Sequence, residues 1–162
     1  MRLCLDFEDA SLATTARDLS PFGNDAHTHV VTPTPRGVEQ AAKLGQTSSI
    51  HIADVAALDL PGAFTFEMFV DPADLTSDSV LFHNSREYGI GLVGGQVYCN
   101  LGEMYTTAPD ASGNLVAGRF QHVACSYDGT VMRTYVEGAQ VGCQYIRRRR
   151  DRILLRPRAL ER

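Results

Sequence analysis

A pair of carboxylates about 5 Å apart can hydrolyse a glycosidic bond, one as nucleophile and the other as general acid. The nearest approach to such a pair in the 162 residues is Glu67 and Asp71. In an extended segment both point to one face, but four residues separate them by about 13 Å, and Phe69 lies between. The spacing reads as two solvated carboxylates. No Gly-x-Ser-x-Gly elbow and no His-Glu-x-x-His occurs. Gly89-Ile90-Gly91-Leu92-Val93-Gly94 spells a dinucleotide-type glycine pattern, yet it falls inside an expected hairpin and not between a strand and a helix. Histidines 27, 29, 51, 83 and 122 are scattered. His27 and His29 share a face of a short strand, two ligands at most, with no Cys or carboxylate at metal spacing. The chain is therefore not expected to be an enzyme.

The elements that must hold these residues are strands. Leu3, Leu5 and Phe7 alternate with Arg2, Cys4 and Asp6, and Ser49–Ile52 is a short β-rich run. Over 63–71, Phe64, Phe66, Met68 and Val70 point one way while Thr65, Glu67, Phe69 and Asp71 point the other. Hairpins are expected at Gly94-Gly95, Asp128-Gly129 and Glu137-Gly138. Val38–Leu44, the longest helix candidate, lacks an amphipathic stripe. Many short strands without alternating helices predict an all-β, antiparallel β-sandwich.

Cysteines stand at 4, 99, 125 and 143. If both late hairpins are regular, Cys125 lies opposite Met132, and Met132 opposite Cys143. The two cysteines are then two strands apart, roughly 9–10 Å between Cα atoms, beyond the ~7 Å Cα limit for a disulfide. A bridge involving Cys99 and four free buried thiols both remain open.

The net charge of −4 hides two compositions. Residues 147–162 carry eight arginines against Asp151 and Glu161, whereas residues 1–146 carry 7 basic and 17 acidic groups. The basic end lacks interleaved aromatics, so no nucleic-acid partner is expected. No run of about 18 apolar residues exists, which excludes a membrane-spanning helix. The acidic Asp6, Glu8 and Asp9 follow Leu3-Cys4-Leu5 too closely for a signal peptide.

Several segments together resemble the laminin-G-like, or concanavalin-A-like lectin/glucanase, jelly roll in its bacterial form. They are Leu3–Asp9 with Arg17-Asp18-Leu19-Ser20-Pro21-Phe22-Gly23-Asn24-Asp25, Ala41–Gly45 with Ser49–Ile52, and Phe64–Val70. Gly118-Arg119-Phe120-Gln121-His122-Val123-Ala124, Tyr127-Asp128-Gly129 and Tyr135-Val136-Glu137-Gly138 complete the set. Phe69 and Phe120 stand where the family has tryptophans, keeping apolar area but losing the indole donor. His122 is expected to be a structural hydrogen-bonding residue. The family's closing strands are echoed only faintly in 151–160, so the jelly roll is expected over 1–146, short of its last strands. Residues 147–162 are read as lying outside the fold, either an out-of-frame ending or the far side of a lost segment.

The resemblance also implies a calcium site between the opening strand and the following loop, with Asp9, Asp18, Asn24 and Asp25 as candidate ligands. The competing reading is that these side chains only make turn hydrogen bonds. It further implies a non-catalytic carbohydrate- or protein-binding module of an exported or surface protein. A glucanase-like enzyme and a ligand-free spacer are the alternatives.

Overall fold

The computed structural model describes residues 3–9, 11–60, 62–84, 87–102, 104–107 and 113–146. The basic end, 147–162, lies outside the described residues, as does everything expected of it. The chain divides into two compact units, Met1–Pro61 and Gly62–Arg162. No α-helix occurs among the described residues, only a short 3-10 turn at Ala56–Leu58.

In the first unit, β1 (Thr15–Ala16), β2 (Ala26–His29) and β5 (Ser49–Ile52) form an antiparallel sheet in the order β1-β2-β5. β3 (Thr32–Arg36) and β4 (Glu39–Lys43) pair as a separate ribbon. Most of the weak helix candidate 38–44 is thus a strand. Leu12, Ala16, Ala26 and Val31 make the core, with Leu5, Phe7, Ala42, Ile50 and Ile52 against it. The expected opening strand is not one. Leu5 and Phe7 still reach the core, but Phe7 has φ 63°, a left-handed conformation that breaks an extended run.

The second unit is a sandwich of two four-stranded antiparallel sheets. β6 (Phe64–Val70), β11 (Gln121–Tyr127), β12 (Val131–Val136) and β13 (Ala139–Tyr145) form one, in the order β13-β12-β11-β6. β7 (Ser79–Asn84), β8 (Tyr88–Val93), β9 (Gln96–Leu101) and β10 (Met104–Thr107) form the other, in the order β10-β9-β8-β7. Period-two alternation sorts the side chains. Ile90, Leu92, Val97 and Cys99 from one sheet and Val123, Cys125, Met132 and Val136 from the other are buried. Phe64, Phe66, Phe82, Tyr88 and Tyr127 cluster with ring centres 5.3–6.0 Å apart, Phe64 and Phe66 stacked and the other pairs tilted. This is the antiparallel β-sandwich of a jelly roll.

A disulfide joins the layers, Cys99 of β9 to Cys125 of β11, with Cα atoms 5.9 Å apart. Cys4 and Cys143 are free. The in-sheet neighbours of Cys125 and Cys143 differ from those of regular hairpins. Cys125 lies opposite Thr134, because Asp128 Oδ1 accepts from both Thr130 N (2.9 Å) and Val131 N (2.8 Å) and so widens the hairpin loop. Cys143 lies opposite Arg133, because a bulge beside Thr134 and Tyr135 takes in one extra residue.

Candidate functional site

The outward face of the β13-β12-β11-β6 sheet combines an exposed aromatic ring with hydrogen-bonding side chains. On β6, Thr65, Glu67 and Phe69 point away from the core, and Phe69 is 57% exposed. Register sets His122 opposite Phe69, and their ring centres are 5.2 Å apart. His122 Nε2 also lies 3.2 Å from Glu67 Oε2. One imidazole is thereby held between an aromatic ring and a carboxylate.

The turn after β12 fixes His122 from its other side. Glu137, at φ 51°, donates its N–H to the His122 carbonyl (2.8 Å), and its Oε1 accepts from His122 N (2.6 Å). Arg119 Nη2 lies 3.4 Å from Glu137 Oε2. Further across, register puts Ala124 between Glu67 and Tyr135, and Ser126 beside Arg133. Ser126 Oγ lies 3.5 Å from the Tyr135 hydroxyl, and Arg133 Nη1 is 2.7 Å from Asp128 Oδ2. That ion pair and the two loop amides hold the Asp128 carboxyl well below its usual range, at about 2, with the Val131 amide the largest cause.

An exposed ring can stack on an apolar face of a ligand, while neighbouring carboxylate, imidazole and hydroxyl groups read its polar edges. Glu67 and Phe69 stand where the alternation over 63–71 put them, and His122 is a hydrogen-bonding residue at the sheet face. Arg133 and Tyr135 were not singled out from sequence. Their alternation in 131–136 was visible, but what they face depends on the widened Asp128 loop. Asp71 follows β6, and no described contact joins it to Glu67.

The four residues proposed for calcium lie in the first unit, where the oxygens of Asp9, Asp18 and Asp25 accept from backbone donors and Asn24 takes part through its own N–H. Asp18 is buried. Its Oδ1 accepts from Cys4 N (2.9 Å) and Ser20 N (2.9 Å), and its Oδ2 from Ser20 Oγ (2.7 Å) and Asn24 N (2.7 Å). Burial pushes the Asp18 carboxyl up, but the Ser20 hydroxyl and the three amides outweigh it and hold the group below its usual range. Asp25 Oδ1 accepts from Asp18 N (2.9 Å), and Asp9 Oδ2 from Arg17 N (2.7 Å). A carboxylate offers about four acceptor positions, so Asp18 has none left for a cation. Calcium needs six to eight oxygens, and among the described residues no three of His, Cys, Asp and Glu are placed to hold a metal. As folded here, the Asp18 carboxylate is committed to protein donors.

A laminin-G-type model of the concanavalin A-like lectin/glucanases superfamily matches residues 44–149. The chain belongs to this family. The match takes in all eight strands described in the second unit, and with them the outward face carrying Phe69. Membership supports a carbohydrate- or protein-binding module in general. No curated protein and no solved structure matches the chain. No helix among the described residues is long and apolar enough to cross a membrane.

Proposed function

We propose that this chain is a non-catalytic module that binds a glycan on the outward face of the β13-β12-β11-β6 sheet. The observation that carries the reading is Phe69, exposed at 57% and flanked by Glu67 and His122. A sugar ring would lay its apolar face on Phe69 and its hydroxyls against the Glu67 carboxylate, the His122 imidazole and the Tyr135 hydroxyl. The spacing of about 13 Å between Glu67 and Asp71 in an extended segment supports a binding role over hydrolysis. Saturation of Asp18 by protein donors supports binding without calcium. The buried Cys99–Cys125 bridge, together with the family, supports an exported or surface location, since such bridges persist in oxidising compartments.

The test is retention on immobilised polysaccharides, with and without calcium, for the chain and for Phe69→Ala. Retention by the chain, equal in both media and lost in Phe69→Ala, is the expected result. Absence of retention on every glycan would leave a protein ligand or a spacer role. Hydrolysis of a β-glucan that vanished in Glu67→Gln would overturn the non-catalytic reading.

A further inference from the structure

The β1-β2-β5 sheet of the first unit presents three imidazoles on one face. Register places His27 of β2 directly opposite His51 of β5, and His29 follows two residues along, opposite Ser49. The other face of these strands supplies Ala26, Ile50 and Ile52 to the core around Leu12. A slip of one residue would bury the imidazoles and expose that core, so the apolar pattern itself pins the histidines outward. All three are exposed. No side-chain hydrogen bond or ion pair joins any of the three imidazoles to a described residue.

We propose that His27 and His51 chelate a divalent transition-metal ion. Directly opposed residues on antiparallel strands have Cβ atoms about 4.5–5.5 Å apart. Rotation about the side-chain torsions of two exposed imidazoles then suffices to bring one nitrogen of each to about 2.0–2.1 Å from a shared ion. Because among the described residues no three ligating side chains are placed to hold a metal as they stand, the site is a two-imidazole chelate with its remaining positions open to water or an outside ligand. Imidazole selects zinc, copper and nickel over calcium and magnesium, which require oxygen. Both rings must be neutral to bind, so acid competes with the ion. This site is independent of the glycan face.

Zinc is the probe, titrated slightly above neutral pH into the full chain carrying Cys143→Ser, which removes the exposed thiol. Calorimetry should show one ion per chain, weakened at least about tenfold by His27→Gln or His51→Gln, in line with the loss of a metal-site contact. His83→Gln, an exposed histidine elsewhere, should leave it unchanged. Imidazole NMR of the chain with all its histidines should show zinc shifting His27 and His51 together, which keeps the test valid if a variant fails to fold. Unchanged zinc affinity in both variants, or equal shifts at His83 and at the His27–His51 pair, overturns the proposal.

Discussion

Glu67 Oε2 and His122 Nε2 face one another at 3.2 Å across β6 and β11. The carboxylate is largely exposed, its side chain at 67%, and such pairs contribute roughly 0–1 kcal/mol to stability. The fold therefore gains little from a geometry in which Glu67 and Phe69 meet the same ring. A ligand that needs carboxylate, imidazole and aromatic groups together gains more.

Phe69→Ala should separate binding from folding. Because the ring is more than half exposed, unfolding free energy should change by less than about 1 kcal/mol. Glycan affinity should fall at least tenfold, about 1.4 kcal/mol. Urea denaturation and affinity electrophoresis measure the two effects. A large stability loss with unchanged retention would place Phe69 in the fold and not in the site.

Much of this face was legible in the sequence, and the reasons are local. Alternation in 63–71 requires only a period of two, so the outward placement of Glu67 and Phe69 could be read directly. The Gly94-Gly95 and Glu137-Gly138 turns were equally readable, because positive φ at those glycines is a backbone demand. What failed depended on side chains acting over several residues. Asp128 binding two loop amides shifted the β11–β12 register by two, and one bulge shifted β13, so the cysteine arithmetic started from the wrong neighbours. Leu3–Phe7 alternates like a strand, yet Cys4 pairs with Asp18 and Leu19 and not with a neighbouring strand. The His27–His51 pairing was invisible, because 24 positions separate residues that only the β2–β5 register brings together.

The Cys99–Cys125 bridge should dominate stability. It closes a separation of 26 residues between two layers, which corresponds to about 3.5 kcal/mol in the chain-entropy account. Cys99→Ala with Cys125→Ala should lower the denaturation midpoint accordingly, and reductant should affect the parent chain alone. Cys143→Ser should leave the midpoint unchanged. Mass spectrometry after alkylation should find two modified thiols under native, non-reducing conditions.

Asp18 should stabilise the first unit without a metal. Asp18→Asn replaces an acceptor of four hydrogen bonds with a group that donates toward some of the same N–H groups, and should cost about 2 kcal/mol. The folded carboxyl titrates below its usual range, so its contribution is fully present above the ordinary carboxylate value near 3.8. It is lost as pH falls through the lower folded value. The difference between parent and variant should therefore shrink in acid. Melting temperature should not respond to calcium or to a chelator; a rise with calcium abolished in Asp18→Asn would restore the metal reading.

Gly91→Ala should destabilise the β7–β8–β9 region. A Cβ there would lie 2.5 Å from the Ser79 carbonyl oxygen and 2.6 Å from Tyr98 Cε1. Backbone cannot move aside as a flexible side chain does, so a cost of about 1–3 kcal/mol follows. Gly94→Ala has open space at its Cβ but φ 57°, so its cost is confined to the turn. Paired urea curves, together with hydrogen exchange in β8 and β9, would distinguish a layer-wide effect from a turn-local one.

Asp128 should be the most acidic carboxyl that these contacts create. The Val131 amide, the Arg133 guanidinium and the Thr130 amide hold it at about 2, and each prefers the charged form. Carbon-detected NMR of the Asp128 carboxyl should give a midpoint near that value. Arg133→Ala should move it upward while leaving it below ordinary Asp, because both amides remain. Its contribution to the hairpin is present above the ordinary carboxylate range and is lost as pH falls through about 2. The widened loop should thus hold throughout the neutral and mildly acidic range. Loss of amide protection at Thr130 and Val131 on mild acidification, before Asp128 titrates, would show that the carboxylate does not hold the loop.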